Sequence, residues 1–164
     1  MPKIILLRGN SGSGKSTIAK ELQEQLGPGT LLIQQDTVRR DMLMAKDRAD
    51  NPAIGLLINL IEYGAQNCDI TILEGILYSD IYAQLFTSVR ELFGTQVFAY
   101  YFDIPFEITL ARHKTKAIAH RFGEAEMRRW WRDNDRPAIL CEKTIRHDMS
   151  PAQTVTWILA DFQS

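Results

Sequence analysis

Residues 9–17 read Gly-Asn-Ser-Gly-Ser-Gly-Lys-Ser-Thr, and their types and spacing suit the handling of phosphate. Gly9, four residues, Gly14, Lys15 and Ser16 match G-x-x-x-x-G-K-[ST]. Gly9, Gly12 and Gly14 let the backbone turn, so that N–H groups along Gly9, Asn10, Ser11, Gly12, Ser13, Gly14, Lys15, Ser16 and Thr17 point inward as an anion cradle. Lys15 is a point charge that can reach the outer phosphates, and the Ser16 hydroxyl can hold Mg²⁺. The competing reading is a plain Gly/Ser turn that leads into a helix. Context separates the two. The apolar run Ile4 to Leu7 suits a strand buried on both faces. After the motif, Ile18, Leu22 and Leu26 recur at helical spacing with Lys20, Glu21 and Glu24 between them. A helix opening there adds its own partial positive charge to the cradle.

A second constellation is Asp36-Thr37-Val38-Arg39. Thr30 to Ile33 reads as a short strand that ends in Gln34-Gln35-Asp36, with a helical stretch from Thr37 through 49. If that strand lies near the first, Asp36 projects beside the terminal phosphate, where a carboxylate can accept the proton of an attacking hydroxyl. Arg39 shares the same helix face and can hold the acceptor or its phosphate. Against this stands the ordinary role of an aspartate before a helix, an N-cap, with Arg39 and Arg40 simply solvated. Glu74 closes the apolar stretch 69–75. It can order a Mg²⁺ shell through water, contact the acceptor, or hydrogen-bond a neighbouring loop.

Residues 112–136 carry Arg112, Lys114, Lys116, Arg121, Arg128, Arg129, Arg132 and Arg136, with Trp130 and Trp131 among them. Phosphoryl transfer needs positive charge on the moving group and a cover that excludes water. Arg112 and Arg121 are the candidates for that charge. Arg128 and Arg132 stand i,i+4 and are expected to act together from one helix face. Adjacent tryptophans cannot point the same way, so one is expected in the core and the other at the site.

The elements that must position these residues follow from periodicity. A helix is expected over 53–67, a strand over 69–75, a helix over 79–93, a strand over 95–102 ending at Asp103, and a helix starting at Pro105. Ala138 to Ile145 is a short strand candidate, and Ser150-Pro151 caps a last helix. Strands alternate with helices throughout, so the class is α/β with a parallel sheet covered on both faces. Length, 164 residues, fits one domain over 1–164 with a real core.

Composition bounds the partners. Net charge is −1, with 45% hydrophobic and 24% charged residues, so nucleic acid is a possible but not a favoured partner. Cys68 and Cys141 are far apart with no C-x-x-C, and read as buried free thiols in a reducing compartment. The three histidines show no metal-ligand spacing. No apolar run approaches membrane-spanning length, and no long apolar signal segment opens the chain. A cytoplasmic protein with no membrane partner is expected; the residues leave its oligomeric state open.

On Gly9 to Thr17, Asp36-x-x-Arg39, Leu73-Glu74-Gly75 and the basic stretch from Arg112 to Arg132, the chain resembles a P-loop kinase of the nucleoside-monophosphate-kinase-like class. Within it, the chain is similar to the zeta-toxin-like and polynucleotide-kinase-like AAA-type ATPase domain family. The resemblance implies a three-layer fold with a five-stranded sheet of order 2-3-1-4-5, a helical lid over about 112–136, and ATP and Mg²⁺ as cofactors. It implies Asp36 as the base and leaves the acceptor open. The expected activity is transfer of the γ-phosphoryl group to a hydroxyl of a small molecule. The alternatives are a polynucleotide or nucleoside 5′-hydroxyl as acceptor, and a nucleotide-dependent switch or binding module. The D-x-x-G and N-K-x-D patterns of GTPase switches are absent from the sequence.

Overall fold

The computed structural model describes residues 1–164, the side chain of Ile118 excepted. Its strands are β1 (Lys3–Gly9), β2 (Thr30–Gln34), β3 (Ile70–Gly75), β4 (Val97–Asp103) and β5 (Lys143–Arg146). Its helices are α1 (Lys15–Leu26), α2 (Ala53–Asn67), α3 (Ala83–Phe93), α4 (Phe106–Lys114), α5 (Glu124–Trp130) and α6 (Pro151–Gln163). All strand pairings are parallel and the order is β2-β3-β1-β4-β5. Parallel neighbours need crossovers long enough to return to the same end of the sheet, and the helices supply them. β1 is therefore central, and β3 intervenes between it and β2. The register aligns Leu7 and Gln34 with Glu74, and Arg8 with Gly75. Gly9, Asp36 and Glu74 consequently emerge at one edge of the sheet.

Alternation along β1 explains why the run is apolar throughout. Ile4 and Leu6 face a cluster built with Leu57 and Ile61 of α2 and Leu85, Phe86 and Val89 of α3. Ile5 and Leu7 face the opposite cluster, with Ile18 and Leu22 of α1 and Val155 and Ile158 of α6. Successive side chains of a strand point to opposite faces, so a central strand with both faces covered must be apolar at every position.

The exception is Arg8, which is fully buried at the end of β1. Nε and Nη2 donate to the Leu77 carbonyl at 3.0 and 2.7 Å. Nη1 donates to Glu142 Oε1 at 2.8 Å and to the Asp135 carbonyl at 3.0 Å, and Nη2 lies 3.3 Å from Asp135 Oδ2. Burial pushes the Glu142 carboxyl upward despite the opposing pull of Arg8. Asp135 also accepts from the Ser79 N–H at 2.9 Å and from its hydroxyl. One buried guanidinium thus ties the strand before the phosphate loop to the chain on both sides of the sheet edge.

Several expected boundaries move. The stretch 37–49 is not a helix. A π-helical turn covers Thr37–Met42 and stops where Met42 and Met44 are exposed, with no apolar periodicity to hold a longer helix against the sheet. α3 begins at Ala83 rather than 79, because Ser79 is held by Asp135 and the Ile81 N–H by the Asp80 side chain. The segment 138–145 divides into a 3₁₀ turn, Ala138–Leu140, and β5. Cys68 is half-buried and Cys141 exposed, so neither is a buried thiol. α6 starts as expected: Ser150 Oγ accepts the Gln153 N–H at 3.1 Å and Gln153 returns to the Ser150 N–H at 2.9 Å.

The segment expected as a lid, about 112–136, contains the end of α4, a 3₁₀ turn at Ala117–His120, and α5. Trp130 and Trp131 are both half-buried and neither joins the core; Met127 is the buried residue of α5. Trp130 meets Phe122 edge-on at 4.9 Å, and Trp131 meets Phe106 at 5.1 Å. Arg128 and Arg132 do not act together, because α5 ends at Trp130. Arg128 pairs with Glu124 and lies over Phe106, whereas Arg132 pairs with Asp80 and lies over Tyr78. Among the described residues no helix is long and apolar enough to cross a membrane.

Candidate active site

The loop from Gly9 to α1 forms at the end of the central strand. Lys15 is buried, and its Nζ donates to the Asn10 carbonyl at 2.8 Å and to Ser13 Oγ at 3.1 Å. Burial lowers its pKa from 10.5 to about 8, against the upward pull of Glu74 and Asp36. Gly12 has φ +75°, and a Cβ there would stand 2.6 Å from the Thr109 carbonyl of α4. Only a glycine allows α4 to approach the loop this closely. Gly12→Ala is expected to force α4 off the loop, lowering stability by about 1–3 kcal/mol, the scale of local backbone strain. Thermal melts with and without ATP should show a lower Tm and a smaller nucleotide-induced rise.

Ser16 Oγ donates to Glu74 Oε1 at 2.9 Å, and Gln34 Nε2 donates to the same oxygen at 3.1 Å. A hydroxyl and a buried carboxylate side by side form a hard-oxygen donor pair, the chemistry Mg²⁺ prefers. Among the described residues no group of three or more His, Cys, Asp and Glu side chains is gathered as a metal cage. That composition suits an ion held with substrate phosphates and water, as Mg²⁺ commonly is.

Asp36 opens the π-helical turn in helical conformation, and its side chain makes no cap hydrogen bond. The carboxylate is about half exposed, and its Oδ1 takes Arg39 Nη2 at 3.1 Å and Arg40 Nε at 3.4 Å. Arg39 is buried, and its Nη1 also donates to the Ala45 carbonyl at 2.8 Å. Asp36 is thereby pinned through one oxygen, while Oδ2 has no protein hydrogen bond among the described residues.

Three chambers open along this edge and share walls. The first, about 310 Å³, is lined by Ile18, Phe102, Ile104, Ile145 and Met149, with Arg112 and Lys116 at its rim. The second, about 390 Å³, is lined by the loop residues Ser11, Gly12, Lys15, Ser16 and Thr17, with Asp36, Glu74, His113 and Lys116. The third, about 530 Å³, lies between the π-helical turn and α5 and includes Arg39, Arg40, Tyr78, Arg121 and Trp130. Thr17 and Lys116 border the first two, and Ile76 and Phe122 the last two.

The two lid arginines singled out from the sequence flank the loop chamber rather than line it. Arg112 Nη1 donates to the Ser13 carbonyl at 3.0 Å, and Arg121 borders the third chamber. The lid cation that does line the loop chamber is Lys116, whose pKa is lowered by burial and by Arg112. The basic run contained it, but only the α4 geometry distinguishes it from its neighbours. Asn10, expected to offer its backbone N–H to phosphate, turns its side chain to the strip after α5. Its Nδ2 donates to the Arg132 carbonyl at 2.8 Å, and its Oδ1 accepts the Arg132 N–H at 3.1 Å.

A glycine-rich phosphate loop leaving the central strand of a 2-3-1-4-5 parallel sheet defines the P-loop kinase fold of the nucleoside-monophosphate-kinase-like class. The profile of the AAA domain family (AAA_33) matches residues 4–132, and the chain belongs to that family. Adenylyl-sulfate kinase of Clostridium kluyveri is 31% identical over 121 residues, 66% of this chain. The chain spans 56% of the length of that relative. The APS kinase CysC of Mycobacterium tuberculosis, solved in complex with AMPPNP and APS, has a TM-score of 0.69 and 19% identity, covering 99% of this chain and 98% of that one. A gluconokinase from Sinorhizobium meliloti 1021 has a TM-score of 0.67 and 16% identity, covering 99% and 92%. At these identities the solved structures show a shared fold.

Proposed function

We propose that the protein is an ATP- and Mg²⁺-dependent kinase that phosphorylates a hydroxyl of a small molecule. The observation that carries this reading is the position of Asp36. It stands in the loop chamber with Lys15, whose charged form its carboxylate favours, and it is pinned by two arginines that line a further chamber. The kinases among the similar proteins, named for adenylyl sulfate and gluconate, support the class. The three chambers have volumes of the order typical of small-ligand pockets, about 300–1,000 Å³, which favours a small acceptor.

In this reading the apolar first chamber takes the nucleotide base and the loop holds its phosphates. Bound ATP would supply the phosphoryl group, and Ser16 and Glu74 would hold Mg²⁺, which would offset charge on the phosphates. Arg112 keeps the Ser13 carbonyl turned away from the cradle, so that N–H dipoles and not carbonyls face the anion. Lys15 and Lys116 present positive charge where the transferring group carries negative charge. Asp36 Oδ2 accepts the acceptor hydroxyl's proton as its oxygen bonds to phosphorus and the bond to the leaving oxygen breaks.

ATP consumption with a panel of hydroxyl compounds, with product phosphorylation measured directly, tests the proposal. Tight nucleotide binding without transfer to any acceptor would make the protein a switch or binding module. Lys15→Ala is expected to cripple turnover while the fold persists, read by turnover and circular dichroism together. Lys116→Met should lower kcat more than it weakens ATP binding, because the charge it meets develops during transfer.

The Lys15 pKa sets a pH dependence. Below about 8 Lys15 is already charged and ready to meet phosphate; above 8 it must gain a proton to bind. Phosphate binding therefore raises its pKa, and ATP affinity is expected to fall as pH rises through 8. At pH 8 binding should take up about half a proton, read by calorimetry in buffers of different ionisation heat. Zero net uptake at that pH would show that Lys15 does not meet the nucleotide.

A further inference from the structure

Granting the kinase reading above, we infer that Asp47 and Tyr82 are positioning residues for Asp36, joined to it through Arg39 and Gln35 in a closed ring of polar contacts. The ring starts at the carboxylate, where Arg39 Nη2 donates to Asp36 Oδ1 at 3.1 Å. On its other side the same guanidinium faces Asp47, whose Oδ2 lies 4.0 Å from Nε. Asp47 Oδ1 accepts the Tyr82 hydroxyl at 2.6 Å. That hydroxyl accepts Gln35 Nε2 at 2.8 Å, and Gln35 directly precedes Asp36 in the chain. Three separate segments thus close on one carboxylate: the end of β2 with the turn after it, the stretch before α2, and the residue that opens α3.

Each joint has a physical reason to hold. Tyr82 is fully buried and Gln35 is 1% exposed, so their polar atoms have no water to turn to. Burial, and then the hydrogen bond to Asp47, push the pKa of the Tyr82 hydroxyl upward, which keeps it a donor. β3 packs against Gln35 so closely that a Cβ on Gly75 would stand 2.7 Å from the Gln35 Cβ. Arg39 Nε is a buried donor with no hydrogen-bond partner and is shut off from the chambers, so the negative charge it faces has to come from the chain itself. Asp47 supplies that charge, and attraction across 4.0 Å stays appreciable where water is largely excluded. Residues 43–52 form neither helix nor strand, so Asp47 depends on such ties for its place. Ala45 adds two: its N–H donates to the Arg39 carbonyl at 2.8 Å, and its carbonyl accepts Arg39 Nη1 at 2.8 Å. Asn51 Oδ1 accepts the Ala53 N–H at 3.0 Å and fastens the far end of the stretch to α2. A guanidinium drawn from one side only would follow the Asp36 carboxylate. Drawn from both sides, it sets where Oδ1 sits and leaves Oδ2 to the acceptor hydroxyl, and orientation of a reacting group carries large factors in rate.

The test uses the full chain with ATP, Mg²⁺ and the hydroxyl compound that the parent phosphorylates fastest in the panel above. Tyr82→Phe keeps the buried ring and removes only the hydroxyl. Asp47→Asn keeps Oδ1 for Tyr82 and removes only the charge facing Arg39, and it carries the test should Tyr82→Phe fail to fold. Each is expected to lower kcat by roughly tenfold or more, with KM for ATP within about twofold of the parent. The same substitutions are then made in an Asp36→Asn background. There each should lower the residual rate by less than about twofold, because no base remains to be positioned. A merely structural role would lower it by the full factor again. Hydrogen exchange over 35–51, with AMPPNP and Mg²⁺ in place of ATP, reads the ring without catalysis and should quicken in both variants. Parent-like rates in both variants, or losses that multiply undiminished with Asp36→Asn, overturn the inference. Where the parent phosphorylates nothing, the kinase reading falls and exchange alone decides: faster exchange in both variants supports the ring, and unchanged exchange overturns it.

Discussion

Asp36→Asn is expected to lose phosphoryl transfer by about 10²-fold or more while keeping both fold and nucleotide. The geometry makes this variant decisive. Asparagine offers the same oxygen to Arg39 Nη2 and Arg40 Nε, so the π-helical turn retains its hydrogen bonds. Because the carboxylate is half exposed, its ion pairs are worth little in water, and the stability change should stay within about 1 kcal/mol. The phosphate loop is untouched, so ATP binding should be unchanged. What asparagine cannot do is accept a proton at neutral pH, and a positioned base contributes roughly 10²- to 10⁴-fold. Single-turnover transfer and calorimetric ATP binding check the two halves. A loss of only a fewfold would assign Asp36 to orienting the hydroxyl, since loose phosphoryl-transfer transition states need little early proton removal. An unchanged rate would move the base to Glu74, the other carboxylate in the loop chamber.

The largest expected effect on stability comes from Arg8→Ala. Removing the guanidinium leaves the Leu77 and Asp135 carbonyls without a partner and strands Glu142, whose side chain is 1% exposed. Breaking a buried pair from one side typically costs about 3–5 kcal/mol, a large share of the roughly 5–15 kcal/mol that holds a domain folded. Urea unfolding should show a clear fall in midpoint with the slope unchanged. The sign of the pH dependence follows from Glu142. Its folded pKa is already raised by burial, and losing Arg8 raises it further, so protonation relieves the variant. The deficit against the parent is therefore smallest near the ordinary glutamate range, about pH 4–5, and widens as pH rises. Arg8→Met with Glu142→Leu removes both charges and should recover most of the loss, because buried pairs are often replaceable by apolar groups of similar volume.

The parts of this architecture that the chain announces are those governed by local periodicity. The apolar run before Gly9 reads as a strand covered on both faces, and Ser150-Pro151 as the opening of a helix, and both are found. The phosphate loop was legible because its function constrains consecutive residues. What stayed hidden depends on partners distant in sequence. Arg8 adjoins an apolar strand, yet it is explained by Asp135 and Glu142, more than a hundred residues on. Asn10 sits inside a motif whose members bind phosphate, and nothing local tells that its amide turns toward Arg132. The basic run from Arg112 onward shows charge without direction, so Arg112, Lys116 and Arg121 could be ranked only once the course of α4 was known. The mistaken helix over 37–49 has the opposite origin. Scattered Val38, Met42, Leu43 and Met44 suggest a buried face, but only Val38 of these is buried.

The double hydrogen bond between the Asn10 amide and the Arg132 backbone has a mechanical consequence. At its other end the lid is fastened by Arg112 to the Ser13 carbonyl, so the same loop grips the strip 112–132 at both extremities. A strip clamped at two points cannot swing as a door about one hinge. Its compliance is confined to the span between the clamps, which bows outward or flattens while its ends stay in place. Phe122 and Arg121 ride on the middle of that span and border the third chamber, whereas the apolar chamber near α6 meets the strip at Arg112, Thr115 and Lys116, beside its clamped end. Breathing of this span therefore changes the third chamber more than the apolar one, and under the proposed function the acceptor and the nucleotide base meet walls of different stiffness.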